Sequence, residues 1–443
     1  MITTVRANWA LLTGIALLML GHGLQGTLLG VRANIEAFPT SVIGFVLSGF
    51  SLGFMASAFV TQRLVRRVGH VRVFAALAAV ASAAILLHSL WPEPITWFVL
   101  RFVTGVCMSG VYIVTESWLN ASAGNEERGQ LLSVYMVVQL AFWAGGQLLL
   151  VAGDPASPTL FILVSVLVSI AVVPLLLSAS AAPIVTVPRK FGLRDLYRTS
   201  PLGCIGMITV GLSQGAFYSM GAVFAQTIGF SIAQISVFVA ATTFGGMLLQ
   251  WPIGRLSDRF DRRRVLTIVT LIAALVLTLV LLFRLHDPVS LTIAFMIYGG
   301  MCLPMYSLCI AHTNDFLDAE QMVGASSALV FANGVGFTLG PLLIGPLMQA
   351  TGPFAFIAAI ATVHGALGAF AVWRATRRSA VPLDAQGPVV YLATTGAPTA
   401  VVTTIAQEEA AQDQGGQDQS GQDQGFQDRG AEPTAGNRPA PVT

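Results

Sequence analysis

From residue 9 to residue 375 the chain supplies one apolar run after another, each close to twenty residues long and separated by short polar breaks. A helix needs about 20 mostly apolar residues to cross the hydrocarbon core of a bilayer, and in lipid every backbone amide must find its partner inside the chain. Such a sequence therefore folds as a bundle of membrane-spanning helices. Twelve spans are predicted, at 9–31, 42–65, 73–90, 95–118, 130–151, 158–178, 202–228, 232–253, 265–283, 289–311, 323–349 and 353–375. The composition agrees: 55% of the residues are hydrophobic and 10% charged, too little charge to coat a soluble surface. The run after Arg6 continues past His22 to Leu29 without a small-residue cleavage site, so it counts as a span rather than a signal peptide.

Arginine and lysine set the orientation, because loops on the cytoplasmic side retain them. With the first residues inside, eighteen of these cations fall on the cytoplasmic side and only Arg32 and Arg284 outside, with Arg101 inside a span. The expectation is an all-α protein of a bacterial cytoplasmic (inner) membrane with both termini in the cytoplasm. The polar break at 179–200, with Pro183, Pro188 and the basic cluster from Arg189 to Arg198, divides the chain into a bundle of six helices at 1–178 and another at 201–378. The halves echo each other. Leu24-Gln25-Gly26 corresponds to Ser213-Gln214-Gly215, and an offset of 194 pairs Gly105 with Gly299, Tyr112 with Tyr306, Asn120 with Asn314 and Glu126 with Glu320. Duplicated membrane proteins commonly place their pathway between the two repeats. Residues 379–443, where Gln-Asp-Gln recurs every five residues from Gln412, have the composition of a disordered tail.

Between spans 8 and 9 the chain reads Gly254-Arg255-Leu256-Ser257-Asp258-Arg259-Phe260-Asp261-Arg262-Arg263-Arg264. This resembles the loop signature of the major facilitator superfamily, G-x-L-x-D-R-x-x-R-R-R. Arg101-Phe102-Val103-Thr104-Gly105 in span 4 resembles a second motif of that superfamily, R-x-x-x-G. Glu116-Ser117-Trp118-Leu119-Asn120, Gln250-Trp251-Pro252 and Tyr306-Ser307-Leu308-Cys309-Ile310-Ala311-His312 are similar to the bacterial YcaD-like group within it. The resemblance implies the major facilitator fold: twelve transmembrane helices in two pseudo-symmetric six-helix bundles around a central cavity. It implies a secondary transporter that works by alternating access, coupled to protons through the span 4 arginine, or alternatively a uniporter or a non-transporting solute sensor. It also implies a latch in which Asp258, followed by Arg259, faces the start of span 5 near Arg128. The loop after span 2 departs from the pattern. Arg66 stands where the acid belongs, followed by Arg67, so either a latch of inverted polarity toward Asp315, Asp318 or Glu320 is expected, or these arginines serve only as membrane anchors.

Spans 1, 4, 7 and 10 line the pathway in this superfamily, and polar groups in such spans face a cavity or a partner rather than lipid. His22 and Gln25, three residues apart in span 1, with Gln214 as the counterpart in span 7 and Trp143 as a wall, form the expected solute site; an interhelical hydrogen bond is the other reading of the pair. Gln139, Trp143 and Gln147 recur every four residues in span 5, with Asn333 expected opposite. Arg101, Glu116 and His312 are the expected coupling groups, although Arg101 lies only about a turn and a half inside span 4, within reach of the surface. His364 is expected to be structural. One arginine, one glutamate and many neutral hydrogen-bonding groups suit a small polar or amphipathic organic solute. The partners are then that solute, protons and the lipid bilayer. The four cysteines sit in apolar runs without metal-ligand spacing, and no metal or cofactor is expected. The basic residues lie in short loop clusters without interleaved aromatics, which argues against nucleic acid. No nucleotide-binding loop and no catalytic constellation is present, so an ATP-driven pump and a membrane enzyme are both set aside.

Overall fold

A computed structural model describes residues 8–122, 128–177, 192–317 and 319–377 of the chain. Twelve long helical segments account for nearly all of these residues: α1 (Trp9–Ile35), α2 (Thr40–Val68), α3 (His70–Leu90), α4 (Pro94–Ser122), α5 (Arg128–Leu148), α6 (Thr159–Ala171, continued by Val173–Leu176), α7 (Pro201–Thr227), α8 (Ile232–Arg259), α9 (Arg262–Leu282), α10 (Pro288–Cys302, continued by Pro304–Asn314), α11 (Ala319–Thr351) and α12 (Ala355–Ala375). The expected tail lies outside the described residues, as does most of the expected linker, whose described end forms a short helix at Leu193–Thr199.

Eleven of the helices are long and apolar enough to cross a membrane. α7 matches them at 27 residues but carries Ser213, Gln214, Tyr218 and Ser219 among its glycines, and nearly all of it is buried. Its lower hydropathy thus reflects its place against other helices rather than against lipid. α10 is interrupted at Leu303 because Pro304 has no N–H to donate, so the ladder restarts behind it. Side chains mark several helix starts: the Ser200 hydroxyl accepts from the Gly203 N–H, Asp261 from that of Arg263, and Asp287 from that of Ser290. Gly69, Gly229 and Gly352 take positive φ at the ends of α2, α7 and α11, where the chain reverses.

The duplication is visible in the packing. α1 crosses α5 where Gly23 meets the Trp143 carbonyl and Gly146 meets that of Leu20; α7 crosses α11 where Gly211 meets the Asn333 carbonyl and Gly336 that of Ile208. α2 crosses α4 through Gly53 and Gly105, and α8 crosses α10 through Gly245 and Gly299. α3 is tied to α6 by a 2.7 Å hydrogen bond between Ser82 and Ser165, while the Thr270 hydroxyl of α9 lies 3.2 Å from His364 Nδ1 of α12. Without a hydrophobic drive between helices in lipid, close backbone approach and such polar clasps are what hold the pairs together. The same three pairings thus occur in each bundle.

The two bundles meet chiefly toward the end that carries Arg32 and Arg284. There the Ser41 N–H donates to Gln349 Oε1 at 3.2 Å, Gly44 of α2 packs against Pro341 and Gly345 of α11, and Thr243 donates to Gln147 Oε1 at 3.2 Å. The opposite end carries the arginine clusters at 63–72 and 255–264.

Candidate functional site

A small, half-open cavity lies between the bundles. α1 contributes His22, Gly23, Gly26 and Thr27, α2 Phe50, α4 Arg101, and α5 Trp143 and Gln147. The second bundle closes it with Tyr218 and Ser219 of α7, Val239 of α8 and Phe337 of α11. Gly26 meets nothing within 4 Å of where a Cβ would stand, so the absent side chain keeps that wall open.

Five side chains from five helices form one continuous run of ring contacts along this cavity. The Arg101 guanidinium carbon stands 4.5 Å from the Phe50 ring centre. Phe50 stacks on His22 at 5.1 Å, His22 lies 6.4 Å from Trp143 with an interplanar angle of 13°, and Trp143 reaches Tyr218 at 4.5 Å. The last step crosses from one bundle to the other. A cation over an aromatic face gains about 0.5–2 kcal/mol, rising with desolvation, which holds the guanidinium inside but does not replace its hydrogen bonds. Arg101 does not reach the surface: it is 6% exposed, and its buried Nε and Nη1 have no hydrogen-bond partner. His22 Nδ1 is likewise buried without one.

His22, Trp143 and Arg101, expected in two different roles, are thus brought together. Gln25 and Gln214 are buried but do not line the cavity. At 100° per residue, Gln25 points about 130° away from the middle of the face defined by residues 22, 23, 26 and 27, so a three-residue spacing from His22 does not put it on the cavity side. Gln214 lies one turn from Tyr218 on α7. Glu116 lies fifteen residues beyond Arg101 on α4, about 22 Å along the axis. It accepts from the Tyr135 hydroxyl at 3.1 Å, and that hydroxyl accepts from Gln139 Nε2 at 2.6 Å. Gln139 therefore joins Glu116, while Trp143 and Gln147 of the same stripe face the cavity. Asn333 donates to the Met207 carbonyl at 3.3 Å instead of facing that stripe. His312 is buried near the end of α10 with its ring 5.2 Å from that of Phe316, and His364 packs between Thr270 and Tyr298.

At the arginine-rich end, Arg262 is the organising group. It donates to Asp315 Oδ1 at 2.6 Å, to the Ala311 carbonyl at 3.1 Å and to Ser257 Oγ at 3.2 Å, and lies 3.6 Å from Asp258. Asp258 thus lies beside an arginine of its own bundle, and Asp315 is held by the same Arg262. Arg66, Arg67 and Arg259 are exposed. The side chains of Arg128, Asp318 and Glu320, the expected latch partners, lie outside the described residues.

Phe50, Val239 and Phe337 are cavity residues that sequence reasoning missed, since an apolar residue in a membrane helix reads the same whether it meets lipid or ligand. Tyr135 was also missed, although it precedes Gln139 by one helical turn.

Two matches to the family model described as Major Facilitator Superfamily cover residues 11–202 and 203–408, one for each half. An uncharacterized MFS-type transporter YcaD of Escherichia fergusonii is 28% identical over 341 residues, 76% of this chain and 88% of that protein. A YcaD of Escherichia coli is 28% identical over 359 residues, 79% and 91% of the two chains. Among solved structures, the nucleoside transporter NupG superposes with a TM-score of 0.70 at 14% identity, covering 83% of this chain and 98% of that one. A bacterial homolog of the human lysosomal transporter Spinster, inward-facing and unoccupied, gives 0.61 at 12% identity over 92% and 98%. These two likenesses concern the fold.

Proposed function

The chain belongs to the Major Facilitator Superfamily, and we propose from that premise that it is a secondary active transporter moving a small polar or amphipathic organic solute across a bacterial inner membrane by alternating access, coupled to protons. Membership makes it a multi-pass membrane transport protein and not an enzyme. The observation that carries the finer reading is the cavity itself: it lies between duplicated bundles, and the bundles close over it at the arginine-poor end. With cations retained in the cytoplasm, that closed end is the outer one and both termini are cytoplasmic. The arrangement then supports a state open toward the cell interior.

His22 and Trp143 form the core of the proposed solute site, with Gln25 and Gln214 as buried neighbours on the duplicated helices. Glu116, hydrogen-bonded by Tyr135 and set apart from the cavity, and His312 are the proposed proton-coupling groups together with Arg101. Asp258 with Arg259, and Arg66 with Arg67, are proposed to reach Arg128 and Glu320 across the bundles when the cavity opens outward. The experiment is solute counterflow in proteoliposomes holding the full chain, followed with an internal pH dye. Solute-driven acidification or alkalinisation that disappears in Glu116→Gln is the expected result. Counterflow without any proton movement would leave a uniporter, and binding without counterflow a sensor.

A further inference from the structure

We infer that the solute is an organic monoanion with a planar or aromatic body, its carboxylate held by Arg101 and its ring against Trp143, Tyr218 and Phe337. The inference rests on the transport reading above and names the substrate class for the same cavity. It begins with a charge without a counter-charge. Arg101 lines the cavity, is 6% exposed, and keeps two buried N–H donors without an acceptor. An ionised group taken out of water is retained only when something pairs with it, and within a membrane helix an idle arginine is costly. Among the described residues no carboxylate lines this cavity, and Glu116 is about 22 Å along α4 with its own donor. The missing acceptor is therefore one that arrives and leaves. A guanidinium presents its donors as a planar fork that matches a carboxylate.

The rest of the lining narrows the class. A single guanidinium suits one negative charge rather than the two of a phosphate ester. The Phe50 ring is already engaged by both Arg101 and His22, while Trp143, Tyr218 and Phe337 line the space beside them. Thr27, Gln147 and Ser219 add neutral polar groups at the edge. Among the described residues the lining offers no carboxylate for a zwitterion's ammonium.

The test uses the purified full-length protein and its thermal unfolding in detergent. Benzoate, phenylacetate and nicotinate are compared with benzamide, uridine and sodium chloride at equal ionic strength, each at about 10 mM, where binding to the folded state raises the melting temperature by mass action. At least one carboxylate should raise it, and benzamide, uridine and chloride should not. In Arg101→Gln the carboxylate's Kd should rise roughly ten- to a hundredfold, the value of a charge-assisted hydrogen bond. The variant's own melting temperature without solute should be unchanged or higher, because a buried unpaired charge has been removed; a purely structural arginine would give the opposite. No response to any of the three carboxylates overturns the inference, as does equal stabilisation by benzamide, uridine or chloride, or carboxylate binding that survives Arg101→Gln. Counterflow separates this from the parent reading. Neutral solute moved equally by wild type and Arg101→Gln keeps the transporter and removes the anion site. Arg101-dependent carboxylate binding without counterflow does the reverse.

Discussion

Gly345→Ala is the sharpest test of how the bundles close. A methyl at this position would stand 2.5 Å from the Thr40 carbonyl oxygen and 3.2 Å from the Cα atoms of both Gly44 and Ser41, against an ordinary contact distance of 3.4 Å or more. The obstacle is backbone, so no rotamer change relieves it, and α2 and α11 must part by about an ångström at the arginine-poor end. Overpacking of this kind costs about 1–3 kcal/mol. The helix-propensity gain of alanine over glycine, about 1 kcal/mol, is present in both conformations and cancels from their ratio. The closed state therefore loses a factor of roughly 5 to 150 relative to the open one. Thr27→Cys reports the change: Thr27 lines the cavity, and its hydroxyl bonds only its own helix at Gly23. All four native cysteines are buried and supply the background. Labelling by a membrane-impermeant maleimide from the arginine-poor side should accelerate about fivefold or more when Gly345→Ala is added. An unchanged rate in a protein that still unfolds cooperatively would refute the idea that this glycine contact is the closing surface.

Three further outcomes follow from named contacts. Arg262→Gln or Asp315→Asn should each destabilise by about 3 kcal/mol, read in a denaturation series, because each takes one partner from a buried 2.6 Å ion pair; Arg264→Gln, whose side chain is 82% exposed, should change little. The backbone and hydroxyl hydrogen bonds from Ser290 hold the Asp287 carboxyl below the usual range, so its contribution is complete above the unfolded carboxylate value and fades as pH falls through the folded one. Asp287→Asn should remove that part of the melting temperature's dependence between about pH 6 and pH 3. Transport lost in Arg66→Asp or in Glu320→Arg should return in part when both are present, and strictly additive losses would dissolve that pair.

Much of the architecture was legible. The expected spans fall on the observed helices to within a few residues at most ends, because hydropathy and bilayer thickness fix length and place together. Even α7, which carries Ser213, Gln214 and Tyr218, is marked as a span by the apolar residues between its polar ones. The break at Pro304 was written in the sequence but lost inside a continuous apolar run. The site was half legible. His22, Trp143 and Arg101 declare themselves because polar or bulky amphipathic groups in a span need a reason. What the sequence does not carry is azimuth: which side of α1 meets α5 is decided by where Gly23 lets the Trp143 backbone come close, and that turns Gln25 away. Separating Gln139 from Trp143 likewise required Tyr135 and Glu116 in three dimensions.

The crossing of α2 and α4 has a mechanical consequence. Gly49, Gly53 and Gly105 pin these two helices around Phe50 and Arg101, where a Gly49 methyl would stand 2.7 Å from the Phe98 carbonyl oxygen and 3.3 Å from the Arg101 Cβ. Five residues earlier, Gly44 of the same helix forms the seam with α11. A pinned pair swings as one lever. Drawing α2 away from α11 at its outer tip therefore shifts the seat of the Arg101 guanidinium through the fulcrum at Gly49, without any intervening loop or side-chain relay. On the transport reading proposed above, gate and grip would lie on a single rod, and the force that parts the seam would also act on whatever lies against Arg101.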